Sequence, residues 1–559
     1  MKLARLFLTL FVGASFSPVW AENRVNVAIP TKTQVGAACL PEEIAPVQAP
    51  FPMPQFKKPQ FPSLSVKITE HGAKENELAT KSIQAAIDAV SSKGGGKVVV
   101  PAGKWLTGRL SLKNNVNLHF AEGAEVTFSG NVEDYRPAVH TRNEGVEVMS
   151  LGALIYANGQ TNIAVTGKGK LTGPPSDCSV RNQVMKSSVI ENFIAAKTPV
   201  EERVYEGHDG GPIFLPMFIS PINCKDVYIE GVTMERTAFW NIVPVYCDGV
   251  IIRGVTVNSV GIPRGDGIDI ESSKNVLIEY STLNCGDDCF TMKAGRGDDG
   301  LRVNRPMENV VVRYCLAQKG HGGITLGSET AGMIRNLYLQ DCVFDGTGTG
   351  IRFKTRRPRG GGGENVILER IRMDLTGTAI TADMLGARMY VGELADRLPA
   401  RPVNKLTPLF RNVTVKDIIV ENAEEFVKIT GIPESPFSNF QLENADVKCN
   451  KLIRISDAKD FTFKNVGIQS ADAAISFLDA RNVTFDNVSF RVPGNEIITK
   501  LQGDATASLR FLNCTPEKPK GWETPTRRNN SCTSSGALQL LPLNGLTNQS
   551  PHFFRAFAQ

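Results

Sequence analysis

The chain has 559 residues, 42% hydrophobic and 21% charged, with a formal net charge of +5. This is ordinary soluble globular material. With no long Lys/Arg run and no interleaved aromatic stripe, a nucleic-acid partner is not expected.

The first predicted element is a secretory signal. Lys2 and Arg5 precede the apolar run Leu6 to Phe16, and Val19-Trp20-Ala21 offers a cut after Ala21. The run is too short for a spanning helix, though an uncleaved anchor is the alternative. Removing residues 1–21 leaves a net charge of +3. No later apolar stretch approaches spanning length, so no membrane contact is expected after removal. The expected location is secreted or periplasmic. Secretion permits disulfides, and the odd count of 11 cysteines leaves at least one unpaired. No Cys/His set has zinc spacing, so no metal site is expected.

Residues 22–63 read as a Pro-rich, extended lead-in. A capping helix follows, with Ile83, Ala86, Ile87 and Val90 on one face, Thr80 as its cap, and Gly94-Gly95-Gly96 as its stop. Lys97 to Val100 reads as a strand that ends at Pro101. From there to about residue 515 an internal repeat dominates. Its unit is Asn, Asp or Gly followed by an apolar-polar β run, as in Asn115-Val116-Asn117-Leu118, Asn275-Val276-Leu277-Ile278 and Asn482-Val483-Thr484-Phe485. Further units open at Asn162, Asp226, Gly249, Asn309, Asn336, Asn365, Asn412, Asn439 and Asp460. Short strands at this period fit a coiled parallel sheet in which each coil buries its inner face on the next. A propeller would need four strands per blade, and the leucine-rich frame is absent. The fold class is therefore all-β, a parallel β-helix spanning 64–515. The interval 173–215 reads as a large inserted loop. The tail 516–559 carries no functional signal.

Four segments carry candidate chemistry. Arg264-Gly265-Asp266-Gly267-Ile268-Asp269 and Cys285-Gly286-Asp287-Asp288-Cys289 place Asp266 and Asp288 one 22-residue coil apart. Coil neighbours stack about 4.8 Å apart. Like charges that close repel, so at least one carboxyl should hold its proton to higher pH. An acid beside an ionised carboxylate is what glycosidic hydrolysis requires. Adjacent aspartates on a strand would point to opposite faces, so Asp287 and Asp288 share a site only at a bulge or turn, which Gly286 could supply. Asp269 suits a structural or substrate-positioning role. His321, in Lys319-Gly320-His321-Gly322-Gly323, could hydrogen-bond substrate or tune an aspartate, the alternative being a structural histidine. Arg352 and Lys354 share a strand face that suits a carboxylate-bearing ligand. Arg356, Arg357 and Arg359 read as a solvated basic loop.

Taken jointly, these four motifs resemble those of the polygalacturonases, glycoside hydrolase family 28: Asn-Thr-Asp, Gly-Asp-Asp, Gly-His-Gly and Arg-Ile-Lys, in that order. The resemblance covers roughly 65–515. It implies a right-handed parallel β-helix that hydrolyses α-linked galacturonides with inversion, without metal or cofactor. The implied partner is a pectic polysaccharide or galacturonate oligosaccharide, acted on by a monomer. Carried over by motif, Asp287 looks like the general acid, and Asp266 and Asp288 like the bases that activate water. His321 would support the acid, and Arg352 and Lys354 would hold a galacturonate carboxylate. Inversion implies carboxylates roughly 6.5–9.5 Å apart. Arg264 and Gly265 replace the two residues that usually precede the first aspartate, so Arg264 could shape a substrate subsite. Gly320 to Glu329 and the Gly-rich Arg359 to Gly363 look more like exo-acting bacterial members. The rival readings are a calcium-dependent pectate-type lyase with an Arg base, and a non-catalytic glycan-binding β-helix.

Overall fold

The computed structural model describes residues 24–186 and 188–517. The expected signal and most of the tail lie outside the described residues. The chain from Gly96 onward winds as a right-handed parallel β-helix. Successive coils pair in register, for example Val250↔Val276↔Val310↔Leu337↔Val366↔Val413↔Phe440↔Phe461↔Val483. Every strand ladder among the described residues is parallel except one hairpin, Val139–Asn143 with Val146–Ser150.

The Asn-headed repeat has a conformational cause. Each residue that opens a unit sits in left-handed backbone, with φ between 52° at Asp226 and 75° at Gly249. Asn, Asp and Gly adopt that region at least cost, because a β-branched residue there would clash. The corner asparagines then bond along the stack. Asn309, Asn336, Asn412 and Asn439 each donate Nδ2–H to the asparagine one coil back, at 2.8–3.4 Å. Inside, identical positions stack like on like. Phe463, Phe485 and Phe511 lie with centroids 4.9 and 4.7 Å apart. Such pairs add about 0.5–1.5 kcal/mol each beyond burial.

The amphipathic helix Thr80–Ser92 buries Ile83, Ala86, Ile87 and Val90 against the first coils, closing the open end of the core. Its N-cap is Ala79 rather than Thr80. Thr80 is already helical, and its Oγ1 instead accepts from the Gly108 N–H at 2.6 Å, tying the cap to the coil below.

The Pro-rich lead-in runs along the flank of the solenoid. Arg24 N–H donates to Asp446 Oδ1 at 3.2 Å, while Val47 packs among Tyr228, Ile251, Leu277 and Val311. The buried Arg253 and Arg313 both pair with Glu279, and they donate onward to the carbonyls of Pro41 and Ala45. Those donors satisfy backbone that proline-rich, extended chain leaves without a ladder partner.

The interval read as an inserted loop is partly helical, with Ser179–Asn182 and Ser188–Ala195. The second helix is amphipathic, and its Ile190 and Phe193 pack on Val146 and Val148 of the hairpin. The ten described cysteines are all free thiols.

Candidate active site

Four consecutive coils supply the site. Their strands Ile268–Glu271, Phe290–Lys293, Gly322–Leu326 and Thr349–Lys354 stack in parallel. Ile268, Phe290, Ile324 and Ile351 point inward and are fully buried, while the alternate column is Asp269, Thr291, Thr325 and Arg352. The period-2 alternation of a strand therefore turns one set of side chains into core and the other into the floor of a site.

Asp266 and Asp288 flank the paired strands one coil apart, and Gly267 N–H donates to Asp288 O at 2.9 Å. Asp287 and Asp288 occupy a bend ahead of Phe290, following a register shift at Leu283/Asn284. A Cβ on Gly286 would lie 2.1 Å from Ile262 O, so only glycine fits there. At Gly322 a Cβ would lie 2.9 Å from Asp288 Oδ1, so that glycine leaves room for the carboxylate. The three aspartates each present an oxygen within 4.8 Å of the others. This is closer than the 6.5–9.5 Å expected for an inverting pair, so separation alone does not define the stereochemistry here.

The three carboxyls differ in environment. Asp288 is fully buried, and both oxygens are engaged: Arg352 Nη1 reaches Oδ1 and Lys354 Nζ reaches Oδ2, each at 2.9 Å. Burial pushes its pKa up, but Lys354 and Arg352 outweigh burial and hold it well below the usual carboxylate range. Asp266 is 3% exposed, and burial together with Asp269 and Asp287 drives its pKa well above that range. Burial and its acidic neighbours thus favour the proton-bearing form of Asp266. Asp287 is the most open of the three, its side chain 24% exposed. Its Oδ1 accepts from Asp288 N–H at 3.0 Å and meets His321 Nδ1 at 3.0 Å. That hydrogen bond raises the His321 pKa.

One sequence expectation changes, that for Arg357 and Arg359. Asp269 is fully buried and pairs with Lys293, and burial lifts its pKa to about 7. Arg264 extends to Glu144 Oε1 at 2.9 Å and lies over the Phe239 ring. Arg357 and Arg359 are not solvated. Arg357 is buried against Glu434. Arg359, 3.6 Å from Glu329, is so enclosed that burial, reinforced by Arg296, lowers its pKa to about 9.

Lys293 is the residue the sequence reading missed. Its Nζ lies 3.4 Å from Asp269 Oδ1, 3.4 Å from Glu329 Oε2 and 3.7 Å from Asp266 Oδ2. It also lies 4.2 Å from the centroid of Trp240. A buried ammonium is tolerated only with such compensation. The 22-residue offset that joins Asp266 to Asp288 also pairs Glu271 with Lys293, so the same count could have found it.

Two exposed or half-exposed acids also bind the insertion to the site. Arg296 pairs with Glu144 at 3.3 Å and with Glu191 of the helix Ser188–Ala195. The hairpin turn and that helix thus stand over the coil that carries Lys293.

A carboxylate trio in three different environments, a histidine on the most open member and two cations on the most buried one form an acid/base site. On this β-helix they define a glycoside hydrolase. The chain belongs to glycosyl hydrolases family 28, whose family model matches residues 91–451. It is 28% identical over 451 residues to the exo-poly-alpha-D-galacturonosidase of Dickeya chrysanthemi, covering 75% of this chain and 74% of that protein. It is 26% identical over 381 residues to a probable polygalacturonase of Vitis vinifera, covering 66% and 71%. Among solved structures, the exopolygalacturonase of Thermotoga maritima is similar with a TM-score of 0.65 and 28% identity, over 78% of this chain and 93% of that one. The family 28 exopolygalacturonase of Yersinia enterocolitica shares the fold at a TM-score of 0.61 and 22% identity, over 83% and 80%.

Proposed function

We propose that this enzyme hydrolyses the α-linked galacturonide bonds of pectic chains, working from a chain end with inversion. The carrying observation is the placement of Arg352 and Lys354 on Asp288, beside an open Asp287. A uronate carboxylate entering the site would meet the same two cations, which binds the substrate's charge next to the reacting bond.

The assigned roles follow from exposure. Asp287, the open member, donates a proton to the leaving oxygen, with His321 holding its carboxyl in place. Asp266 and Asp288 are too deeply buried to reach the sugar carbon themselves, so the role left to them is orienting and deprotonating a water. The leaving oxygen gains the proton, the water loses one, and the cluster ends with the charge it began with. Three carboxyls this close share protons as a set, so the proton that Asp287 delivers is drawn from the trio rather than from one member. Attack by water on an α-linkage delivers the β-anomer first.

Exo-action is supported by the named exo-acting relatives and by the insertion beside the cleft. The N-terminal signal pattern supports export to the periplasm or beyond. Among the described residues no helix is long and apolar enough to cross a membrane. We propose a monomer that needs no cofactor. The trio could in principle hold a cation, but both Asp288 oxygens are already bound by fixed positive side chains, which a divalent ion would have to displace.

Chromatography of polygalacturonate digests tests the reading. Saturated short products from the first time points are expected, unchanged in rate by chelator. A ladder of sizes would overturn exo-action. An ultraviolet-absorbing unsaturated product lost with chelator would replace hydrolysis by a lyase reaction.

Removing one clamp gives a second prediction. Arg352→Ala is expected to raise KM for polygalacturonate by about 10- to 100-fold, the worth of a charge-assisted hydrogen bond. It also frees Asp288 from one cation that lowers its pKa. The acid limb of the kcat pH profile should therefore move to higher pH. A limb that stays in place would remove Asp288 from the titration.

A further inference from the structure

Arg356 is the cleft cation without an acidic partner. Its neighbours in sequence and space are all paired: Arg352 and Lys354 with Asp288, Arg357 with Glu434, Arg359 with Glu329, and Arg296 with Glu144 and Glu191. Among the described residues no carboxylate lies within ion-pair distance of Arg356. The strand ends at Lys354, and the following turn is pinned by Thr355, whose hydroxyl meets that of Thr330 at 2.8 Å. The turn places the Arg356 Nη2–H on Ser328 Oγ at 3.2 Å. Ser328 in turn donates to Glu329 at 3.0 Å, and Glu329 reaches Lys293 and thereby Asp266. One chain of contacts thus leads from Arg356 to the reacting carboxyls.

The other face of the guanidinium is covered by an aromatic ring. Tyr390 lies 4.4 Å from Arg356 Cζ and is 54% exposed, on the segment that joins two coils after residue 383. A large, half-exposed ring beside a half-buried guanidinium that has no acidic partner is useful to a ligand. The ring offers an apolar face to a sugar, and the guanidinium offers unfilled N–H donors to an anion. Burial lowers the Arg356 pKa, Glu329 opposes this and Arg296 adds to it.

We infer that Arg356 and Tyr390 form a second uronate subsite, binding the carboxylate and ring of a galacturonate other than the one held by Arg352 and Lys354. The inference rests on the galacturonide reading above and adds a residue that sets preference for oligomers of acidic sugar. It accounts for the exposure of Tyr390 and for the absence of an acid opposite Arg356.

Steady-state kinetics on trigalacturonate test it, with wild type, Arg356→Ala, Arg356→Lys and Tyr390→Ala. Wild-type turnover of trigalacturonate is the control for the functional reading; without it that reading falls, whatever the variants do. Given turnover, Arg356→Ala should raise KM by about 10- to 100-fold with kcat within about threefold, the split expected for lost ground-state binding. Arg356→Lys should recover part of the loss, since it restores the charge but not the planar fork. Tyr390→Ala should raise KM in the same direction, and added salt should shrink the Arg356 effect. Unchanged KM in both Arg356 variants, or a fall in kcat at constant KM, would overturn the subsite. Should Arg356→Ala fail to fold, Arg356→Lys and Tyr390→Ala decide the question on their own.

Discussion

Asp287→Asn is expected to lower kcat on polygalacturonate by about 10²- to 10⁴-fold, the usual contribution of a positioned general acid. The fold should survive. The Asn side-chain oxygen can still accept from Asp288 N–H, and the change removes one of three crowded carboxylates. Melting temperature should therefore hold or rise while activity is lost. KM should change little, because Arg352 and Lys354 remain in place. Substantial residual turnover would remove Asp287 from the acid role.

Lys293→Met is expected to be the most destabilising single change at the site, by about 3–5 kcal/mol, the cost of stripping a buried charge cluster of its counter-ion. Methionine keeps the stem volume and a contact to Trp240, so the loss reports charge rather than a cavity. The sign of its pH dependence follows from the neighbours. In the wild type, burial lowers the Lys293 pKa, but Glu329, Asp269, Asp266 and Asp288 outweigh it and hold the pKa well above the ordinary lysine value. Its stabilisation is therefore complete at neutral pH and is lost only as the pH rises through the folded value. Asp269, lifted to about 7, contributes stability that is present below its unfolded value and fades as pH rises toward 7. Without Lys293 the buried acids bind protons still more tightly, so the penalty should be small near pH 4 and grow toward pH 8. Calorimetric melting of both proteins across that range checks it. A penalty that is constant with pH would mean that packing rather than charge sets the loss.

Much of the fold could be read from sequence because its causes are local. Asn, Asp and Gly at the corners report left-handed backbone, and the apolar alternation after them reports which face is core. The helix face Ile83, Ala86, Ile87 and Val90 was legible for the same reason. The aspartate trio was legible because stacking at one coil length converts a 22-residue interval into contact. What stayed hidden depends on parts far apart in sequence. Arg357 and Arg359 read as surface because a run of arginines between glycines looks solvated. They are buried by Glu434 and Glu329, the first of which lies 77 residues away from Arg357. The raised proton affinity of Asp266 was not legible either, because it comes from depth, which the segments packed over it set. The pairing of Arg264 with Glu144 was hidden for the same reason, because it depends on a hairpin 120 residues earlier.

A proton-NMR time course of polygalacturonate hydrolysis reports which anomer is released. β-Galacturonate units are expected first, released from chain ends, with the α-anomer following only by mutarotation. First appearance of the α-anomer, or of an unsaturated sugar in place of a galacturonate end, would contradict a water-activating role for Asp266 and Asp288.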